Sequence, residues 1–142
     1  MIRAVIRGSG SNQDGRTPGI TLPSGALQEV LIRDVYSTAG LNPLETEFIE
    51  THGTGTQAGD PIETGALSEI FGPGRPPAMP LRIGSIKTNV GHLEGTSGIA
   101  GVMKAVLMLE NRTFLPNRNF RALNPRIPLQ EWNLKVRTES IC

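Results

Sequence analysis

The stretch Leu81-Arg82-Ile83-Gly84-Ser85-Ile86-Lys87-Thr88-Asn89-Val90-Gly91-His92-Leu93-Glu94-Gly95 sets the fold class. It opens on a short apolar run, Leu81–Ile86, which predicts a strand. It passes through Gly, Thr and Asn to a histidine, and a helix pattern runs from about Gly98 to Glu110. Strand, polar loop, helix is the unit of an α/β layer with a parallel sheet, and such loops are where these proteins place their chemistry. The same order occurs upstream. Glu47–Thr51 reads as a strand, His52 follows within Thr51-His52-Gly53-Thr54-Gly55-Thr56, and Asp60-Pro61-Ile62-Glu63 announces a helix. His52 and His92 are the only two histidines in the chain.

Further signals fill in the elements. Ala4–Arg7 predicts a strand before the turn residues Gly8 to Gly15. Ser24 predicts an N-cap, with an apolar stripe of Leu27, Val30, Leu31 and Val35 and a stop at Gly40. In the next helix Asp60 reads as the cap, Pro61 as the first position and Glu63 as its capping-box partner, with Ile62, Ala66, Leu67, Ile70 and Phe71 inward and Gly72 at the end. The segment Gly72–Pro80 holds four prolines, which require an irregular loop, and Arg112–Leu129 is also loop-like. Within Gly98–Glu110 only Lys104 is charged before the final glutamate, which predicts a helix buried on most sides. Ile99, Val102, Met103, Val106, Leu107, Met108 and Leu109 exceed the single stripe this chain can bury by itself, so a large exposed apolar surface is expected here. A last strand is expected from Leu134 to Thr138.

The 142 residues suit one domain, and a net charge of +1 with interspersed signs offers no basic stripe for nucleic acid. Six aromatic residues (four Phe, one Tyr, one Trp) are too few for a base-stacking surface. The single cysteine, Cys142, excludes an internal disulfide framework and suits a reducing cytoplasm. No apolar run is long enough for a membrane span, and residues 1–20 lack a signal-peptide layout. Both chain ends fall at candidate strands, which reads as a piece of a larger protein. No phosphate-binding loop precedes Lys87, and no metal site is expected, since neither histidine has a Cys or His at ligand spacing. Each histidine by itself has an ordinary alternative reading as a loop anchor. Their paired settings, with Lys87 five residues before His92, favour a shared site.

Thr51-His52-Gly53-Thr54-Gly55-Thr56 and Lys87-Thr88-Asn89-Val90-Gly91-His92-Leu93-Glu94-Gly95 closely resemble the β-ketoacyl synthase (ketosynthase) domains of type I polyketide synthases. Gly10-Ser11-Asn12-Gln13-Asp14-Gly15, Gly59-Asp60-Pro61-Ile62-Glu63 and Asn124-Pro125-Arg126-Ile127 match in the same order. Leu115–Phe120 and Glu131–Val136 look most like fungal reducing polyketide synthases. The resemblance implies the C-terminal half of a thiolase-like fold, a layered α/β structure with a mixed, largely parallel central sheet. It implies decarboxylative Claisen condensation with His52 and His92 as catalytic residues, Lys87 positioning their network, and Thr54 and Thr56 holding a phosphopantetheine arm. That arm belongs to an acyl carrier protein and is a substrate carrier, so no bound cofactor is implied. Expected partners are the carrier protein, the N-terminal half of the domain with its cysteine nucleophile, and a second copy in a homodimer, with no nucleic acid and no membrane. Cys142 has no flanking motif and is not that nucleophile. A glutamate that pairs with the lysine in single-function bacterial relatives falls here near Gly101, which leaves Glu94 as one candidate partner of Lys87. The chain alone is expected to be inactive. The alternatives are a non-catalytic ketosynthase-like dimerisation or chain-length partner, disfavoured by the intact His52, Lys87 and His92, and a fatty acid synthase condensing domain, disfavoured by Asn12–Gly15 and the C-terminal segment.

Overall fold

The structure is a computed structural model that describes residues 1–15, 17, 19 and 22–138. Cys142 lies outside the described residues. Seven regular elements follow in the order α1 (Gly25–Ala39), β1 (Phe48–Glu50), α2 (Gly59–Phe71), β2 (Leu81–Gly84), α3 (Lys87–Val90), α4 (Ser97–Asn111) and β3 (Leu134–Val136), with 3-10 turns at Pro43–Glu45 and Glu94–Thr96. The strands form one parallel sheet in the order β1-β2-β3. Phe48 stands opposite Arg82, and Leu81 opposite Leu134.

The core lies between the sheet and the α1–α2 pair. Leu67, Ile70 and Phe71 of α2 meet Leu81, Ile83 and Leu134, with Ile32, Tyr36, Ile49 and Trp132 packed around them. Phe71 and Leu81 are completely enclosed, and each such side chain contributes about 1.5–3 kcal/mol by leaving water. Tyr36 meets Phe71 edge to face at 5.3 Å. Ile49 points into this core, so the neighbours Phe48 and Glu50 point to the opposite face, where α4 lies. Both α1 ends form as the sequence predicts. Ser24 Oγ accepts from Leu27 N, and Gly40 adopts a left-handed conformation while Leu41 N donates to Tyr36 O, closing a Schellman turn.

Several expectations change. Ala4–Arg7 forms no strand. It pairs with neither edge of the three-stranded sheet, Val5 and Ile6 are exposed, and the chain just after it runs close to α1, with Gly8 and Gly10 against Val35. Leu31 and Val35 are covered from that side, Val30 is 60% exposed, and the residues of α1 that reach the core are Ile32 and Tyr36. Asp60 does not cap α2. The helix begins at Gly59, Asp60 Oδ1 accepts from Gly55 N, and Thr56 Oγ1 accepts from Gly59 N. Acidic side chains near this helix start are captured by amides of the preceding loop, which are oriented toward them. The strand expected over Leu81–Ile86 stops at Gly84, because Ile86 already has helical dihedrals and leads into α3. The strand expected to Thr138 ends at Val136.

Helix α4 is not buried on most sides, but it shows the large exposed apolar surface expected of this chain by itself. Only Gly101, Lys104 and Met108 are buried, whereas Ile99 (66%), Val102, Met103, Leu107 and Leu109 (67%) are exposed. The helix is buried along one narrow face, and its single interior charge points inward because a carboxylate waits there. Among the described residues nothing covers the apolar flank.

Candidate active site

Two strand-to-helix loops meet above the ends of β1 and β2. They are tied together first by backbone: Thr51 N and Thr51 Oγ1 both donate to Gly84 O, at 2.7 and 3.0 Å. Ser85 Oγ donates to His52 O at 3.3 Å. Gly53 has a positive φ of 49°, and a Cβ there would stand 2.7 Å from Thr51 Oγ1 and 2.8 Å from Ser85 Cβ. Only glycine satisfies both the dihedral and the approach. The Glu63 carboxylate finishes the first loop by accepting from His52 N at 2.6 Å and Gly53 N at 2.9 Å.

The second loop is shaped by Gly91 and by Glu94, both with positive φ. Glu94 N donates to His92 Nδ1 at 2.9 Å. A neutral imidazole whose Nδ1 accepts carries its proton on Nε2, so this bond assigns His92 as an Nε2–H donor. The Glu94 carboxylate stands 3.9 Å from the same ring and is mostly exposed, so Glu94 serves His92 and is not placed as the partner of Lys87.

These loops bring together the two histidines, separated by forty positions in sequence. The ring centroids of His52 and His92 are 5.4 Å apart with an interplanar angle of 82°. Lys87 shares with His52 a cavity of about 350 Å³ also lined by Glu50, Thr51, Ser97 and Gly101, whereas His92 does not line it. Thr54 and Thr56 are exposed in the loop after His52 and line neither this cavity nor the neighbouring cleft of about 770 Å³. Thr56 Oγ1 accepts from Gly59 N, which leaves its O–H free to donate outward. Among the described residues no group of three or more His, Cys, Asp or Glu is placed to hold a metal ion, and no helix is long and apolar enough to cross a membrane.

Sequence reasoning missed the supporting residues. Asn117 Oδ1 accepts from Ser85 N at 3.1 Å, and Asn119 Nδ2 donates to Thr88 O at 2.9 Å, so the irregular segment after Phe114 braces the His92 side of the site. Glu50 and Lys104 form an ion pair at 2.7 Å beneath the cavity, in electrostatic contact but off hydrogen-bond alignment. The alternation of side chains along β1 was the available signal for Glu50: it lies two residues before His52 and hence on the same side. No local pattern marks the asparagines, whose targets lie more than thirty residues away.

The chain has the thiolase-like α/β fold of the solved ketosynthases it matches. It aligns with the ketosynthase from module 6 of the bacillaene synthase of Bacillus subtilis at a TM-score of 0.92 and 42% identity, covering 99% of this chain and 25% of that one. The ketosynthase from module 1 of the bacillaene synthase of Bacillus amyloliquefaciens gives 0.90 and 36%, with 99% and 25% covered. The chain belongs to the β-ketoacyl synthase family: the description "Beta-ketoacyl synthase, C-terminal domain" matches residues 3–121. It is 67% identical over 135 residues to the highly reducing polyketide synthase phiA of a fungal species, covering 95% of this chain and 5% of that protein. It is 62% identical over 141 residues to a reducing polyketide synthase of Cochliobolus heterostrophus, covering 99% and 6%. The chain thus spans about a twentieth of these relatives' length and about a quarter of the solved ketosynthases.

Proposed function

We propose that the chain is the C-terminal half of a ketosynthase domain in a reducing polyketide synthase, and that His52 and His92 catalyse decarboxylative Claisen condensation there. An acyl group waits as a thioester on a cysteine from the N-terminal half. Malonyl on the phosphopantetheine arm of an acyl carrier protein loses carbon dioxide. The electron pair of the broken C–C bond forms a thioester enolate, whose carbon attacks the acyl carbonyl and expels the cysteine thiolate. A ketoacyl thioester remains on the carrier. The enolate oxygen is where charge develops, and preorganised N–H donors aimed at it lower the barrier most. The single observation carrying this reading is the pair of imidazoles 5.4 Å apart, one of them held by the Glu94 amide as an Nε2–H donor.

Lys87 adds a fixed positive charge beside His52, and Thr54 and Thr56 present hydroxyls for the amides and hydroxyl of the arm. Function in this reading needs the carrier protein and the N-terminal half, in a homodimer in the cytoplasm. Substitution of His52 or His92 by Gln in the full-length enzyme tests it. Each is expected to lower condensation by ~10²–10³, measured as ketoacyl product from acyl-loaded enzyme and malonyl-carrier protein. Parent turnover in both variants would refute it.

A further inference from the structure

β1 delivers one more group to the site. Phe48 and Glu50 lie two apart on the strand and both face α4, and His52 follows two residues later at the same cavity. On α4, Lys104 is buried, with Nζ 2.7 Å from Glu50 Oε2 and 5.2 Å from the Phe48 ring centroid. The other carboxylate oxygen, Oε1, accepts from Ile86 N at 2.5 Å, the amide just before Lys87. Gly101 makes the room: a Cβ there would stand 3.1 Å from Glu50 Cγ. Glu50, His52, Lys87 and Gly101 line one cavity.

Stability alone does not call for this arrangement, because apolar residues of the same volume commonly replace a buried ion pair without loss. The pair instead sits directly under the cavity that holds His52 and Lys87. We infer that Glu50 is a positioning residue of the condensing site: its carboxylate anchors the Ile86 amide and supplies the negative charge that keeps Lys87 turned into the cavity beside His52. Lys104 balances that charge from below. Lys87 stands beyond ion-pair distance of Glu50, so the paired Glu50 and Lys104 leave it as the net positive charge of the wall, which favours an enolate forming next to it. The glycine at position 101 is the counterpart of this choice, since it clears on α4 the space that the β1 carboxylate fills. The inference rests on the condensing function proposed above.

The test uses the full-length ketosynthase. Glu50→Gln combined with Lys104→Met removes both charges, keeps an acceptor for the Ile86 amide and nearly keeps the volume. The expected result is an unchanged unfolding midpoint with kcat for condensation lowered roughly 10–100-fold, the range for residues that orient a site from behind, and KM for malonyl-carrier protein little changed. A second variant moves the carboxylate across the gap. Glu50→Ala with Gly101→Glu presents it from α4, three residues before Lys104 and on the same helix face. It is expected to recover most of the kcat that Glu50→Ala alone loses, which a purely structural role does not predict. Parent kcat in the charge-neutral variant, or a folded transplant without recovery, would overturn the inference. If the neutral variant fails to fold, the transplant decides; failure of both to fold would assign Glu50 to stability and overturn it as well. A parent enzyme whose condensation survives His52→Gln and His92→Gln refutes the proposed function itself. Loss in those histidine variants beside full activity in the Glu50 variants refutes only this inference.

Discussion

Gly53→Ala separates two costs that are usually confounded. At Gly53 the backbone has φ of 49°, and the new Cβ would meet Thr51 Oγ1 at 2.7 Å and Ser85 Cβ at 2.8 Å. At Gly55, two residues on in the same loop, φ is 80° but a Cβ would meet nothing within 4 Å. Gly55→Ala therefore carries the dihedral cost alone, about 1–2 kcal/mol. Gly53→Ala carries that plus an overpacking cost of about 1–3 kcal/mol, for a total of roughly 2–5 kcal/mol. Neither Thr51 nor Ser85 yields easily, because both are fixed by hydrogen bonds to Gly84 O and His52 O. The strain is relieved by moving the His52 loop away from β2, and a displacement of about 1 Å costs on the order of 10² in rate. Urea unfolding of the parent and both variants of the full-length ketosynthase, at matched m-values, gives the stability difference, and single-turnover condensation gives the rate. Equal destabilisation and equal rates in the two variants would show that the Gly53 approach does not position His52.

Three further outcomes are expected. Phe71→Ala removes a completely buried ring from the α2–sheet core and should cost about 3–5 kcal/mol in denaturant unfolding; a loss below 1 kcal/mol, small against the range for such sites, would mean that the core closes differently. The Arg3 guanidinium hydrogen-bonds the Glu110 carboxylate and holds its pKa below the ordinary value. A depressed carboxyl stabilises above its unfolded pKa and loses that contribution as pH falls through the folded one, so the tie between the N-terminal segment and α4 should weaken as pH falls below the ordinary glutamate range. An NMR titration of Glu110 with an unshifted midpoint, unchanged by Arg3→Ala, would refute the pairing. Finally, the purified 142-residue chain should form no ketoacyl product from acyl thioester and malonyl-carrier protein, since the acyl acceptor requires an acylated cysteine from the other half of the site. Product that disappears on Cys142→Ala would make that residue the nucleophile.

Periodicity and punctuation in the sequence were enough to locate the three helices of useful length, because apolar spacing and turn residues act within a turn or two, although only α1 forms the cap its sequence announces. They were enough for the parallel α/β class and for the two histidine loops, since Gly-rich segments after short apolar runs have few other uses. Tertiary structure decided whatever depended on a distant partner. Ala4–Arg7 has strand composition but pairs with neither edge of the sheet, so its pattern goes unused. Asp60 and Glu63 have the spacing of a helix cap, yet loop amides brought in by the fold take their carboxylates. The lone interior charge of α4 suggested a helix enclosed on most sides, when Lys104 in fact marks its one buried face, because only the folded chain brings Glu50 within 2.7 Å. Charges and amides choose partners by distance in space, and sequence spacing predicts that distance only within a single element.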